Sequence, residues 1–91
     1  MKYEIIRTTQ FKKDYKTISK RGYDMSKLKE VIMMLADGKT LPEKYNDHQL
    51  TGNFKNFREC HIAPDWLLIY KIENDLLILI VERTGSHSDL F

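Results

Sequence analysis

Two segments in the first half of the chain carry apolar residues at the spacing of one helix face. The repeats are three or four residues apart, as expected when one side of a helix packs against a core. They are Phe11, Tyr15 and Ile18 in the first segment, and Leu28, Val31, Ile32 and Leu35 in the second. Thr8 or Thr9 is suited to cap the first helix and Asp24 the second. Gly22 and Gly38 are suited to end them, so the pattern predicts a helical hairpin.

Strand patterns lie on either side of this hairpin. The predicted strands cover residues 2–7, 57–62, 66–72 and 76–83. Pro64 and Asp65 predict a turn between the second and third strands, and residues 74–75 a turn between the last two. Residues 41–54 follow neither period and predict a loop. The order β-α-α-β-β-β predicts an α+β fold with a mostly antiparallel sheet and the helical hairpin packed on one face.

Composition limits the class of protein. The 91 residues suit a single domain, residues 1–91, and 42% hydrophobic with 31% charged residues is typical of a soluble globular protein. No apolar run approaches the ~20 residues that span a bilayer, and no apolar stretch of a secretory signal follows Met1. A single cysteine, Cys60, excludes an internal disulfide and a cysteine-rich zinc site. We therefore expect a cytoplasmic protein that does not associate with membranes.

Charge is distributed unevenly along the chain. Residues 1–44 contain 11 Lys and Arg against 6 Asp and Glu, a net charge of +5. Residues 45–91 contain 4 against 7, a net charge of −3. Lys12, Lys16 and Lys20 form one stripe along the first predicted helix. A basic half of this kind suits a phosphate backbone, but a solvated lysine face explains it equally well.

The three histidines are the main candidates for proton transfer, because histidine both takes and gives a proton near neutral pH. His48 lies in the predicted loop and His61 near the end of a strand. The turn at Pro64 keeps His61 close to Asp65. If the last strand pairs antiparallel with residues 66–72, its end returns to the same edge of the sheet and brings His87 with it. Pairing therefore predicts one site for the three histidines.

Several chemistries are open to these residues. Zinc would find enough ligands in the histidines and Asp65, but none share a tight metal-binding spacing. Cys60 cannot pair with His61 as a nucleophile, because adjacent strand residues point to opposite faces. Ser86 and Ser88 lie outside any nucleophile elbow.

RNA cleavage fits the inventory best. It needs a base for the 2′-hydroxyl proton, an acid for the leaving 5′-oxygen and a cation for the phosphorane charge. Histidines, with an aspartate, can supply the first two and Arg83 the third. Trp66 and Phe91 could stack on unpaired bases, although packing in the core explains a tryptophan equally well.

Three blocks carry a resemblance to a known family: residues 47–53 (DHQLTGN), 58–70 (RECHIAPDWLLIY) and 82–91 (ERTGSHSDLF). With the length and the order of elements, they resemble the RelE/ParE superfamily of bacterial toxins, and specifically its YafQ-type branch. The resemblance implies the toxin of a type II toxin–antitoxin system that cuts mRNA in the A site of the 70S ribosome. It implies attack by the 2′-hydroxyl without a metal or other cofactor, and inhibition by a cognate antitoxin.

The resemblance also implies a role for each candidate residue. His87 would be the main general acid/base, with Asp65 and His61 assisting proton transfer or positioning the RNA. His48 would complete the cluster, and Arg83 would hold the scissile phosphate. The implied RNA contacts are Phe91 stacking on a base, Trp66 within the same motif, and Lys12, Lys16 and Lys20 facing ribosomal RNA.

Two other functions stay open at this point. A ParE-type relative binds DNA gyrase and cleaves no RNA, but such a protein needs no histidine cluster. A plain binding module would use the histidines structurally, and a His87→Ala variant of it would stay toxic.

Overall fold

One five-stranded sheet organises the protein, and the computed structural model describes residues 1–91. The elements are β1 (Glu4–Arg7), α1 (Thr9–Lys20), α2 (Met25–Ala36), β2 (His48–Gln49), β3 (Arg58–Ala63), β4 (Trp66–Glu73), β5 (Ile78–Gly85) and α3 (His87–Leu90). Two 3-10 turns, Glu43–Tyr45 and Gly52–Phe54, flank β2. The predicted α+β fold is confirmed.

The sheet has the order β1-β5-β4-β3-β2 and is antiparallel except at one edge. Strands β2 to β5 form consecutive antiparallel pairs. Strand β1 runs parallel to β5, with Glu4 opposite Ile78 and Arg7 opposite Val81. The helical hairpin carries the chain from β1 to the far side of the sheet, so β5 reaches β1 only at the end of the meander. No helix is both long and apolar enough to cross a bilayer.

Both predicted helices begin and end where the sequence indicates. The Thr8 hydroxyl accepts a hydrogen bond of 2.9 Å from the Phe11 amide, and the Asp24 carboxylate accepts one of 3.1 Å from the Ser26 amide. Gly22, after α1, has a φ of +85°. Only glycine adopts such a left-handed conformation without strain, so this residue fixes the reversal between the two helices.

Two short elements escaped the sequence analysis. Strand β2 lies within the predicted loop, and α3 forms after the last predicted strand. Neither is long enough to show a hydrophobic period. Each depends on tertiary partners: β2 on its pairing with β3, and α3 on Leu90, which packs against β4 residues Leu67 and Ile69.

Strand β4 is buried on both faces, which explains its continuous apolar sequence. Trp66, Leu68 and Tyr70 belong to the large core between the sheet and the helical hairpin. Leu67 and Ile69 point to the opposite face, where they meet Leu90 of α3 together with Leu50, Phe54 and Phe57. The loop before β3 and the C-terminal helix therefore supply the second cover of the sheet.

An ion pair joins α1 to β5. The Arg83 guanidinium donates two hydrogen bonds to Asp14, of 2.9 and 3.0 Å. The same carboxylate accepts from the Thr84 amide at 3.2 Å and from the Gln10 side chain at 3.0 Å. Asp14 is 8% exposed, and a buried carboxylate requires such partners.

Replacement of Asp14 by alanine is expected to lower the free energy of unfolding by about 2 kcal/mol, because it leaves a half-buried arginine and a buried amide without their acceptor. Urea denaturation measures the change. Lys13→Ala on the exposed side of the same helix is the matched control and should shift stability by less than about 0.5 kcal/mol. Equal losses in the two variants would show that the ion pair does not hold α1 on the sheet.

Candidate active site

Three histidines lie side by side along one edge of the molecule. The ring centroids of His48 and His61 are 6.4 Å apart, and those of His61 and His87 are 6.0 Å apart. We call these three residues the histidine row. They come from three elements: His48 from β2, His61 from β3 and His87 from the first turn of α3. The convergence expected from strand pairing is thus present in the structure.

His87 is oriented by Asp65 from the turn between β3 and β4. The Nδ1 atom of its ring is 2.8 Å from an oxygen of Asp65. Its backbone amide donates to the same oxygen at 3.1 Å. These two contacts hold the pKa of the Asp65 carboxyl below its usual value, so the carboxylate stays ionised and accepts a hydrogen bond from Nδ1. The Nε2 atom of His87 is then the nitrogen with a free lone pair.

Glu59 lies between the other two histidines and was missed by the sequence analysis. One of its oxygens is 3.2 Å from Nε2 of His48 and 3.9 Å from Nε2 of His61. Glu59 is only 6% exposed. The sequence signal was the two-residue spacing from His61, which places both side chains on the same face of a strand. Pairing then sets His48 directly opposite Glu59.

Backbone carbonyls fix the outer nitrogens of the same two rings. Nδ1 of His48 is 2.7 Å from the Asn46 carbonyl oxygen, and Nδ1 of His61 is 3.4 Å from that of Pro64. A carbonyl only accepts, so each Nδ1 carries a hydrogen. The Nε2 atoms of both rings are then the ones that face Glu59.

The loop that carries His48 is anchored by Asp47. This carboxylate accepts a hydrogen bond of 2.6 Å from the Tyr70 hydroxyl and contacts the Arg58 guanidinium at 3.3 Å. Burial raises the pKa of Tyr70, and the bond to Asp47 raises it further. The phenol therefore remains a donor at any physiological pH and ties the loop to the centre of the sheet.

Aromatic rings extend the histidine row in one direction. The Phe91 ring lies 6.4 Å from the ring of His87 and 5.9 Å from that of Phe54. Phe91 is 64% exposed, although its amide is fixed by a bond of 2.8 Å to the His87 carbonyl. A largely exposed ring on a fixed backbone is suited to stacking on an unpaired base.

The short helix α3 is stabilised by a capping box and an ion pair. Ser86 and Asp89 form a capping box, in which each side chain accepts a hydrogen bond from the other's backbone amide. Arg21, at the end of α1, donates to both oxygens of Asp89 at 2.7 and 3.0 Å. Gly85 precedes the cap with a φ of +154°, and a Cβ there would lie 2.9 Å from the Asp89 carboxylate. The position of His87 thus depends on Arg21, Asp89 and a residue without a side chain.

Arg83 and Trp66 are not part of the histidine row. Arg83, expected to hold the phosphate, is held by Asp14 on the α1 side of the sheet. Trp66, considered for base stacking, is 4% exposed and donates its indole N–H to the Thr84 hydroxyl at 3.0 Å. The structure corrects that expectation for Trp66, because a ring packed in the core offers no face to a base. Lys12, Lys16 and Lys20 are exposed along α1.

The geometry bears on two of the alternative chemistries, a cysteine nucleophile and a bound metal ion. Cys60 is buried, and burial raises the pKa of its thiol far above neutrality, which makes it a poor nucleophile. No group of three or more His, Cys, Asp or Glu side chains is arranged to hold a metal ion.

Comparisons with known proteins agree on one family. A family model for the bacterial toxin YafQ of type II toxin–antitoxin systems matches residues 3–91. The chain is similar to the mRNA interferase toxin YafQ of Escherichia coli strain K12, with 46% identity over 83 residues, which is 90% of this chain and 88% of that protein.

Solved structures show the same likeness. The E. coli DinJ–YafQ complex matches with a TM-score of 0.89 and 42% identity over 98% of both chains. A metal-bound toxin from Helicobacter pylori matches with a TM-score of 0.91 and 44% identity over 98% of this chain and 99% of that one.

The attachment of α3 should depend on pH through Asp89. Its carboxyl pKa lies well below the usual value, mainly because Arg21 donates to it. A lowered pKa stabilises the fold above the ordinary carboxyl value of about 4, and this contribution is lost as the pH falls below it. Asp89→Asn is therefore expected to cost about 1 kcal/mol at pH 6 and less at pH 3.

Urea denaturation at the two pH values tests this dependence. Asp75→Asn, at an exposed turn residue that forms no ion pair, is the control and should follow the wild type at both. A loss for Asp89→Asn that is the same at pH 6 and pH 3 would contradict the assigned role of the carboxylate.

Proposed function

The chain belongs to the YafQ family of bacterial toxins of type II toxin–antitoxin systems, and we propose that its histidine row cuts mRNA in the ribosomal A site. As a member of that family it is an mRNA interferase, an endoribonuclease. One observation carries the assignment of the site: His87, oriented by Asp65, lies 6.0 Å from His61, ring centre to ring centre.

That separation suits an acid and a base on opposite sides of one phosphate. Each must come within about 3 Å of the oxygen with which it exchanges a proton. Two rings about twice that distance apart can therefore flank a scissile linkage. The attacking 2′-oxygen and the leaving 5′-oxygen lie on opposite sides of phosphorus, which matches two separate histidines better than one.

His87 is the base in this proposal. Asp65 holds a hydrogen on Nδ1 and so leaves Nε2 free to accept the proton of the 2′-hydroxyl. The 2′-oxygen then attacks phosphorus, and Asp65 stabilises the imidazolium that forms. A carboxylate that fixes the tautomer and orientation of a catalytic histidine plays the same part in the hydrolytic triads.

His61 is the acid, supported by Glu59 and His48. The Glu59 carboxylate is buried and contacts Nε2 of both rings, at 3.2 Å and 3.9 Å. In this proposal His61 acts in its protonated form and gives a proton to the 5′-oxygen as the phosphorus–oxygen bond breaks. The products are a 2′,3′-cyclic phosphate and a free 5′-hydroxyl, so no metal-bound water is required. The positive charge of His61 in that form would also stabilise the phosphorane, whereas Arg83 would have to leave Asp14 to take this part.

The remaining RNA contacts follow from exposure. Phe91 offers a free ring next to His87 and stacks on a base beside the cut. Lys12, Lys16 and Lys20 lie on an exposed face of α1 and would meet ribosomal RNA. A net charge of only +2 is low for an enzyme that binds free RNA, and it suits an enzyme whose substrate is presented by a ribosome.

In the proposed biological role, a protein partner inhibits the toxin. The similar E. coli protein forms a complex with DinJ, and here too a cognate antitoxin binds the toxin. We propose the cytoplasm as the location, because ribosomes and mRNA are there, and a single toxin domain over residues 1–91.

Replacement of His87 by alanine should abolish toxicity and reduce cleavage by about 100- to 10,000-fold, the usual contribution of a general acid or base. Induced expression in a bacterial host, with primer extension on a reporter mRNA, measures both. Ser88→Ala, at the neighbouring exposed position, is the matched control and should keep wild-type cleavage. His87 is exposed, so the thermal stability of the variant should stay close to that of the wild type.

The same experiment separates the competing functions. Growth arrest with intact mRNA in both strains would overturn the nuclease and favour a gyrase-binding toxin. In a purified translation system, a transition-metal chelator that spares Mg²⁺ should leave cleavage unchanged; loss of cleavage, restored by added metal, would contradict the metal-free mechanism.

Replacement of Glu59 by glutamine should lower the maximal cleavage rate by about tenfold or more and leave the KM nearly unchanged, because the amide keeps the shape of the side chain but not the charge that strengthens its contacts with His48 and His61. Glu73→Gln, at the far end of β4, is the control. A Glu59→Gln variant that keeps the wild-type maximal rate would show that Glu59 only packs beneath the two rings.

A further inference from the structure

A cleft of about 420 Å³ opens beside the histidine row and has no assigned role. Its walls are residues 61–64 at and just after the end of β3, residues 44–46 at the end of the first 3-10 turn, and Lys27 and Glu30 of α2. His61 is the only member of the histidine row that lines it. The volume falls within the range of about 300–1,000 Å³ that is usual for small-ligand sites.

The charged groups of the cleft favour an anion. Lys27 and Lys44 both line it, and neither forms an ion pair with an acidic side chain. Lys44 lies across the ring of the buried Tyr45, with its Nζ atom 5.1 Å from the ring centroid. Glu30 is the only acidic residue in the wall, so the cleft is net positive even when His61 is neutral.

We propose that this cleft binds the mRNA nucleotide adjacent to the scissile phosphate on the His61 side, with Lys27 and Lys44 neutralising its phosphate. The inference rests on the proposed function, because it takes His61 to be at the point of cleavage. A strand held between His61 and His87 has to continue past His61, and the cleft is the concave, cationic surface that this histidine lines. The opposite continuation runs along Phe91.

Such a site acts on binding rather than on the chemical step. A lysine that contacts phosphate contributes through charge and released counterions, and its effect falls as salt rises. Replacement of both lysines by glutamine should therefore raise the toxin concentration for half-maximal cleavage by about tenfold at low salt. The rate at saturation should not change, because neither ammonium group contacts an oxygen that gains or loses a proton.

The decisive experiment couples a change in the protein to a change in the RNA. Single-turnover cleavage is measured on ribosomes carrying an mRNA with a neutral methylphosphonate at the linkage on either side of the cut. At the linkage 3′ of the cut, on the side of the leaving 5′-oxygen that His61 protonates, loss of the phosphate charge should raise the half-maximal concentration of the wild type by about the same factor as Lys27→Gln/Lys44→Gln does. The same RNA should not raise the half-maximal concentration of the double variant any further, since the losses from two interacting partners are not additive.

Two controls separate this contact from general electrostatics. The Lys2→Gln/Lys39→Gln variant removes the same charge outside the cleft. Its loss of affinity should be the same on the unmodified mRNA as on the methylphosphonate mRNA. Glu30→Gln removes the only acid of the cleft and should lower the half-maximal concentration, which a purely structural role would not do.

The outcomes distinguish the two levels of the proposal. If the losses from the lysine substitutions and from the methylphosphonate are additive at both linkages, the lysines contact ribosomal RNA or no RNA at all. That result would overturn the subsite and leave the proposed nuclease activity intact. If Glu30→Gln does not lower the half-maximal concentration, the subsite is overturned in the same way. A wild-type protein that does not cut the unmodified mRNA would overturn the proposed function and the subsite with it.

Discussion

The burial of β4 on both faces is the constraint on which the rest of the structure depends. The helical hairpin covers one face, and the second face has to be covered by something else. Leu90 of α3 and the segment before β3, which includes Phe54, provide that cover. The same two segments carry His87, Phe91 and His48. The packing requirement of an apolar strand therefore brings the chemically active residues to one edge of the sheet.

The helices and the long strands follow from the sequence because their signals are local. Helix caps at Thr8 and Asp24 and the apolar repeats of α1 and α2 each lie within a few residues of one another. Even the gathering of the histidines follows, because antiparallel pairing of β4 with β5 returns the chain to the edge where His61 lies. The YafQ-type motifs then supply the reaction, which no spacing or charge could indicate.

What escaped prediction depends on contacts between distant parts of the chain. Helix α3 is anchored in part by Arg21, which donates to Asp89 across 68 positions, and the local sequence at either residue does not indicate the other. Glu59 resembles any glutamate in a strand until β2 pairs opposite it. The ion pair of Arg83 depends in the same way on Asp14, which lies 69 positions away. Burial of Trp66 likewise depends on its partner Tyr23, whose ring centre is 4.9 Å away.

The tight fit at Gly85 has a consequence for the genetics of such a toxin. Its missing side chain makes room for the carboxylate that α1 holds through Arg21. A bacterial culture forced to express an active form selects for survivors that have lost the toxin. Many single-nucleotide changes at this glycine codon would displace His87 without altering any histidine. Survivors should therefore accumulate lesions at Gly85 and Arg21 as well as in the histidine row, and a map of such escape mutations would outline the supports of the site.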